Sequence, residues 1–332
     1  MTSWKDTPVA ITGGAGFIGS ALCKKLVGLG AKVRAVDNLE RGKLEFLGST
    51  LDDVEFVEGD LRDAAFARKA CQGVEVVFHL ASKVGGISVY VDRPYEVLAT
   101  NLQLDINMAE ALKASGVRRY FYASSAHIYP IELQRSADAP AITEDQAIPA
   151  SPQLSYGWGK LIGEQLLLNH RIQVPEVRIA IGRIIGAFGP NQDYGLDTGS
   201  AIPVFIRRAI EYPETPFRVL GSGRETRSFC YVDDVVDAIV LSVEKLEDHE
   251  MIGPINLGRE GYVSIGELAK MIVEISGKDI PLQFDTSCPT LIWGQAVSLE
   301  ATRKALQWEP KISLRDGLEK EYRHIQDRLA AV

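Results

Sequence analysis

The stretch Val9-Ala-Ile-Thr-Gly-Gly-Ala-Gly-Phe-Ile-Gly-Ser20 decides the fold. Val9 to Thr12 are apolar or β-branched, the composition of a strand buried on both faces. Gly13, Gly16 and Gly19 follow with the spacing G-x-x-G-x-x-G. Phe17, Ile18, Ala21, Leu22, Leu26 and Val27 then recur at helical period as far as Gly28-Leu-Gly30. A strand, a glycine turn and a helix N-terminus make an anion site, because free backbone N–H groups and the helix dipole both favour a pyrophosphate. The triplet alone is weak; its context is strong. The next strand, Ala31-Lys-Val-Arg-Ala-Val36, ends in Asp37, about twenty residues after the glycines. An acid there accepts from the ribose hydroxyls and repels a 2′-phosphate, which predicts NAD in preference to NADP.

With 332 residues, 46% of them apolar and 24% charged, the chain has room for one large α/β domain and a smaller lobe. A net charge of −8 without a basic block argues against nucleic acid as a partner. Cys23, Cys71, Cys230 and Cys288 lack metal or redox spacing and read as reduced core thiols of a cytoplasmic protein, with no metal site. The first strand starts almost at the N-terminus, leaving no room for a signal peptide, and no apolar run approaches a membrane span.

Val54-Glu-Phe-Val57 reads as a third strand, closed by Gly59-Asp60-Leu61. Asp60 is placed to accept from an adenine amine, although Asp60 or Asp63 could equally cap the helix that follows. Val74 to His79 is a fourth strand, with His79 as a plug in the sheet. It runs into Leu80-Ala-Ser-Lys-Val-Gly-Gly86, a rim of the crevice where open α/β sheets bind ligands. An amphipathic helix spans Asn101 to Lys113, and a fifth strand, Arg118 to Ala123, leads into Ser124-Ser-Ala-His-Ile-Tyr-Pro130. A helix follows from Ser155-Tyr-Gly-Trp-Gly-Lys160 through Leu168, then a sixth strand from Glu176 to Arg183. Residues 186–221 look loop-rich. A helix from Val232, a strand Pro254 to Leu257, and helices near 264–276 and 314–329 complete the chain. The alternation predicts a doubly wound parallel sheet. Residues 1–185 with about 230–258 would form the dinucleotide-binding domain, and 186–229 with 259–332 a smaller α+β substrate lobe.

Tyr156 and Lys160 are four apart at the start of a helix, so both leave the same face. A free phenol, with a pKa of about 10, is a poor base at neutral pH. A neighbouring ammonium favours the phenolate, and a positive nicotinamide ring pushes the same way. Ser125 can donate to the same substrate oxygen. Together these give a group that removes a hydroxyl proton while hydride leaves the carbon beneath it.

The order glycine turn, Asp37, Asp60-Leu61, His79-Leu80-Ala81-Ser82, Asn101, Ser124-Ser125 and Tyr156-x-x-x-Lys160 resembles the extended short-chain dehydrogenase/reductase superfamily, with its Rossmann sheet, over nearly the whole chain. Within it, the nucleotide-sugar epimerase/dehydratase branch is nearest. Lys83-Val-Gly-Gly-Ile87 is similar to GDP-fucose synthase. Tyr122 to Pro130 and Gly221-Ser-Gly-Arg-Glu-Thr-Arg-Ser-Phe229 are similar to that enzyme and to GDP-mannose 3,5-epimerase. The resemblance implies NAD contacts from Gly13, Gly16, Phe17, Ile18, Asp37, Asn38, Arg41, Asp60, Leu61, Leu80, Ala81, Ser82, Asn101, Tyr156 and Lys160. It implies substrate contacts from Lys83, Gly85, Gly86, Ser125, His127, Ser200, Arg224 and Arg227, and a homodimer built on the helices at about 101–114 and 156–168.

The departures from that pattern matter as much. His127 stands where the two nearest families carry a cysteine that works as acid/base at carbon, and Ser200 aligns with their second acid/base. Gly186 replaces a substrate asparagine, and the late pyrophosphate arginine expected near Trp293–Gln295 is absent. Histidine titrates near neutrality and can serve as base or acid. These features predict an NAD-dependent epimerase of a sugar, nucleotide-linked, with Ser125, Tyr156, Lys160 and His127 catalytic. The alternatives are 4-epimerisation by rotation of the ketone, a net dehydrogenase or reductase on a polyol or aminocyclitol, and a silent NAD-binding protein.

Overall fold

The structure is a computed structural model and describes residues 4–85, 87–113, 115–287, 290 and 292–331; Gly86 and Cys288, both named above, lie outside the described residues. Seven strands form one sheet: β1 (Pro8–Thr12), β2 (Lys32–Asp37), β3 (Glu55–Glu58), β4 (Val76–His79), β5 (Arg119–Ser125), β6 (Arg178–Ile184) and β7 (Met251–Leu257). Every pairing is parallel and the order is β7-β6-β5-β4-β1-β2-β3. Such a sheet needs helices on both faces. Val9 and Ile11 point to the face covered by α1 (Phe17–Gly28) and α7 (Val232–Glu244), whereas Ala10 points to the other. That second face is covered by α2 (Ala64–Cys71), α4 (Pro94–Leu112) and α5 (Ser155–Gln173). The first core continues into α6 (Ala201–Ile210), α8 (Ile265–Ser276) and α10 (Leu314–Ala330), so the C-terminal elements share apolar packing with the sheet. Two short helices, α3 (Ile87–Asp92) and α9 (Glu300–Leu306), complete the set.

Three local readings change, and of the two candidate caps of α2 one is chosen. α4 starts at Pro94 rather than Asn101, since proline suits a first helical position, where its missing N–H is not needed. α6 lies inside the stretch read as loop: Pro203 interrupts the pattern but falls in the first turn, where a helix tolerates it. Asp63, not Asp60, caps α2, its Oδ1 accepting from Ala65 N at 2.8 Å. β7 begins at Met251 and takes in Pro254, which an edge strand admits, with its register on β6 shifting between Ile252 and Ile255. Cys23, Cys71 and Cys230 are buried and unbridged, and no described helix is long and apolar enough to cross a membrane.

On α10, Glu321 is fully buried, and neither of its oxygens has a hydrogen-bond partner among the described residues. Burial pushes its carboxyl from an ordinary 4.5 up to about 8, so the fold holds the neutral acid. A raised folded pKa means the contribution to stability is fully present below the unfolded value and is lost as pH rises through about 8. Glu321→Gln removes that titration. Its melting temperature should fall less than that of the wild type between about pH 6 and about pH 9, and an equal fall in thermal denaturation would clear Glu321 of the effect.

Candidate active site

β1 and β4 lie side by side where the strand order reverses, the crevice in which open α/β sheets receive ligands. Gly13, at φ +71, rests on the backbone of Ala81, and Leu80 N and Ala81 N donate to the carbonyl and Oγ1 of Thr12, each at 3.2 Å. A Cβ on Gly19 would overlap the Gly13 carbonyl oxygen, so only glycine lets α1 begin this close to the turn. No side chain caps α1 and its first turn has no acid, which leaves the positive end of its dipole open to an anion. Asp37 borders the same crevice, accepting from Ala15 N at 3.0 Å and Leu39 N at 2.9 Å. Burial raises its carboxyl, and the backbone donors of Leu39, Ala15 and Asn38 oppose that. An open helix end, a glycine turn and a carboxylate closing β2 fit a dinucleotide with free ribose hydroxyls.

The other residues expected at the cofactor are placed as follows. Asn101 Oδ1 accepts from Ser82 Oγ and Lys83 N, each at 2.7 Å, which shapes the loop after β4. Asn38 Oδ1 accepts from Glu40 N at 3.1 Å, and Arg41 donates to Val84 O at 2.8 Å. Asp60 is gripped by the Arg62 guanidinium, which holds its carboxyl low; Leu61 is buried, and Phe17 and Ile18 open α1 half-buried. His79 is fully buried at the end of β4, the plug expected of it.

Ser125 ends β5, and Tyr156 sits in the first turn of α5 with Lys160 one turn on. The Ser125 and Ser82 hydroxyls hold the Tyr156 phenol below where burial alone would leave it. Ser125 Oγ also lies 3.1 Å from His127 Nδ1 and accepts from His127 N at 3.3 Å. The His127 ring meets Tyr156 edge-on, centroids 5.5 Å apart at 77°. Tyr90, not singled out in the sequence, stacks on Tyr156 at 5.3 Å and 23°, its phenol oxygen accepting from Gly85 N at 3.2 Å. A lone tyrosine on a short helix after a glycine loop gives no pattern by which to find it.

Burial drives these groups toward their neutral forms. It raises the Tyr156 phenol, with Tyr90 adding to the rise, and lowers the Lys160 ammonium against the pull of Asp105 and Glu164. It takes His127 down to about 4, with the Arg227 charge pushing the same way. Arg227 itself falls to about 10 through burial, and Glu225 opposes this. The Arg227 guanidinium donates to Thr226 O at 2.7 Å and Ile292 O at 2.9 Å and makes no ion pair among the described residues. It is a half-buried cation whose charge acts on a neutral imidazole.

The remaining expected substrate residues are more dispersed. Lys83 pairs with Glu40 and with Glu96 at 3.2 Å. Ser200 is the exposed N-cap residue of α6, and Arg224 is exposed in the 221–225 turn. Gly186 has φ +53, and a Cβ there would overlap the Ser228 carbonyl oxygen, so no asparagine fits this backbone.

A family model described as the NAD dependent epimerase/dehydratase family matches residues 9–258. The chain is 30% identical over 325 residues to GDP-mannose 3,5-epimerase of Arabidopsis thaliana, covering 98% of this chain and 84% of that one. It is also 30% identical over 328 residues to UDP-glucuronic acid decarboxylase 1 of Arabidopsis thaliana, covering 98% and 71%. Among solved structures, UDP-glucose 4-epimerase of Thermotoga maritima with UDP-glucose superposes with a TM-score of 0.84 at 25% identity, covering 97% of this chain and all of that one. UDP-glucose 4-epimerase of Thermus thermophilus with NAD gives a TM-score of 0.82 at 25% identity, covering 96% and 99%. The chain therefore belongs to the NAD dependent epimerase/dehydratase family and is an NAD-dependent enzyme of the extended short-chain dehydrogenase/reductase type.

Proposed function

We propose that this enzyme epimerises a nucleotide-linked sugar through a transient ketone, with inversion of an adjacent carbon by His127. The observation that carries the reading is the convergence of Ser125, Tyr156 and His127 on one spot, beside the unpaired cation of Arg227. NAD, when bound, takes up the hydride and returns it. Tyr156 accepts the hydroxyl proton, Ser125 holds the oxygen, and the positive N-terminus of α5 with Lys160 offsets the burial that opposes a phenolate. A ketone acidifies the neighbouring C–H bond, and the neutral His127 imidazole removes that proton. Arg227, with Arg224 nearby, would hold the substrate's diphosphate. Burial is the main cause of the His127 depression; that anion would cancel the Arg227 charge that adds to it, so binding of the substrate makes the imidazole a stronger base just where the ketone forms. His127 takes the proton from one face of the carbon; Ser200 is too weak an acid to reprotonate the other, so solvent water would deliver the proton there that completes the inversion.

The lobe of residues 186–229 and 259–332 would take the sugar nucleotide, and the enzyme would work as a cytoplasmic homodimer, in keeping with its unbridged thiols. Tyr95 and Ile106 of α4 and Trp158 and Ile162 of α5 are 84%, 45%, 39% and 42% exposed, an outward apolar stripe on two adjacent helices. Paired across a two-fold axis they would close a four-helix bundle.

Three outcomes follow. Because Asp37 faces the ribose end of the crevice, titration should show NAD bound far more tightly than NADP; equal affinities would remove Asp37 from cofactor choice. Sedimentation at micromolar concentration should give a dimer, and Ile162→Glu a monomer; a wild-type monomer would contradict the bundle. For the chemistry, GDP-mannose and UDP-glucose serve as probe substrates in deuterated water. Deuterium should enter the product next to the transient ketone, and His127→Ala should abolish that entry while the first hydride transfer persists. Tyr156→Phe should bind NAD normally yet lose about two to four orders of magnitude in turnover. Turnover without deuterium entry would leave ketone rotation as the route.

A further inference from the structure

Lys160 is 2% exposed and forms no direct ion pair among the described residues. Its Nζ lies 4.8 Å from the centroid of the Tyr122 ring. On the edge of that ring, Tyr122 Oη donates to Asp105 Oδ2 at 2.6 Å. Asp105 Oδ1 lies 3.1 Å from His79 Nε2, and Thr12 Oγ1 lies 2.7 Å from His79 Nδ1 while accepting from Ala81 N at 3.2 Å. With the ring kept neutral by burial and Asp105 offering Nε2 only acceptor oxygens, Nε2 carries the proton and the Thr12 hydroxyl donates to Nδ1. This fixes His79 as the neutral Nε2–H tautomer, the form that full burial also favours. The partners of Asp105 are thus the neutral donors Tyr122 and His79, and no Lys or Arg pairs with it directly among the described residues.

Charge balance singles out the other end. The titratable groups facing Lys160 are Asp105 of α4, His79 of β4, Tyr122 of β5, and Tyr156 and Glu164 of its own helix. Glu164 is matched by Arg183 of β6, with bonds of 3.0 and 2.8 Å. One anion, Asp105, and one cation, Lys160, remain, with an aromatic ring between them. We propose that Lys160 and Asp105 form an ion pair relayed through Tyr122, which makes Asp105 a positioning residue that keeps Lys160 charged beneath Tyr156. A phenol that donates to a carboxylate places more electron density on its ring face, which strengthens the ring's hold on a cation. Without a counter-charge, a buried ammonium sheds its proton. Close packing supports the pairing: at Gly163 a Cβ would overlap both Tyr122 Oη and Asp105 Oδ2, so α5 lies directly on the pair.

The inference rests on Tyr156 being the hydroxyl base, and the direction of a shift separates the two. Acting alone, the Asp105 charge raises the Tyr156 phenol. If Lys160 stayed charged without it, Asp105→Asn would lower Tyr156. Under the proposal Lys160 becomes neutral and Tyr156 rises instead. The readout is the near-ultraviolet tyrosinate absorbance of the NAD-saturated protein, wild type minus Tyr156→Phe, titrated with pH and repeated in an Asp105→Asn background. The expected result is a Tyr156 transition moved up by about one pH unit or more. A transition that moves down, or stays, overturns the proposal. Tyr122→Phe keeps the ring and removes its bond to Asp105, so it should move the transition the same way by less; it carries the test if Asp105→Asn does not fold by circular dichroism. If the wild-type difference shows no tyrosine ionising below the ordinary range, the base assignment fails rather than the relay.

Discussion

The buried ion pair between Glu164 and Arg183 is the contact on which the site's geometry depends. Both side chains are nearly sealed from solvent, and Glu164 also accepts from Ser124, the residue before Ser125. Arg183 continues to Tyr129 Oη at 3.2 Å and Glu144 O at 2.7 Å, with its guanidinium over the Tyr129 ring. Tyr129 donates to Asn256, whose amide reaches Ser298 O at 3.0 Å. One connected set of polar contacts thereby joins α5, β5, β6, β7 and the segment before α9. Breaking such a pair from one side leaves an uncompensated buried charge, at a cost of about 3–5 kcal/mol. Two turns separate Glu164 from Tyr156 on the same rigid helix, so whatever fixes Glu164 fixes the phenol against Ser125.

The same dryness opposes the chemistry. Proton transfer at Tyr156 needs a phenolate, and burial disfavours it; burial also disfavours the ammonium that would help. The fold answers with charges brought from several elements: the start of α5, Lys160 with its anion on α4, and Arg227. Preorganised charge at buried side chains acts more strongly than the same charge in solvent, which is how so enclosed a site would move protons under the proposed chemistry.

The parts of this arrangement that were legible in the sequence are local in the chain. The glycine turn, Asp37 and the Tyr156–Lys160 spacing are set by periods of a few residues, and the fold follows from strand–helix alternation. Tyr90 and Asp105 left no such trace, because their partners are distant in sequence: Asp105 meets Tyr122 and His79, and Tyr90 meets Tyr156. α6 was hidden by Pro203, which reads as a breaker unless the start of the helix is already known. Which aspartate caps α2 was a matter of three residues, too fine for propensity to decide.

The departures from the family pattern also acquire a physical account. At Gly186 the chain turns with positive φ against the Ser228 carbonyl, so the position cannot carry the asparagine side chain expected there. The segment Gly294–Gln295, where the late arginine is lacking, pairs in parallel with Thr226–Arg227, and Arg227 itself bonds Ile292 O. A cation thus reaches this edge from the neighbouring strand rather than from the segment itself. Its guanidinium is anchored through two backbone carbonyls, which hold it in place without neutralising it. A half-buried, anchored and unneutralised arginine whose charge acts on a histidine is costly to the folded protein unless an anion completes it, and that cost is the physical argument for a phosphorylated substrate over a neutral polyol.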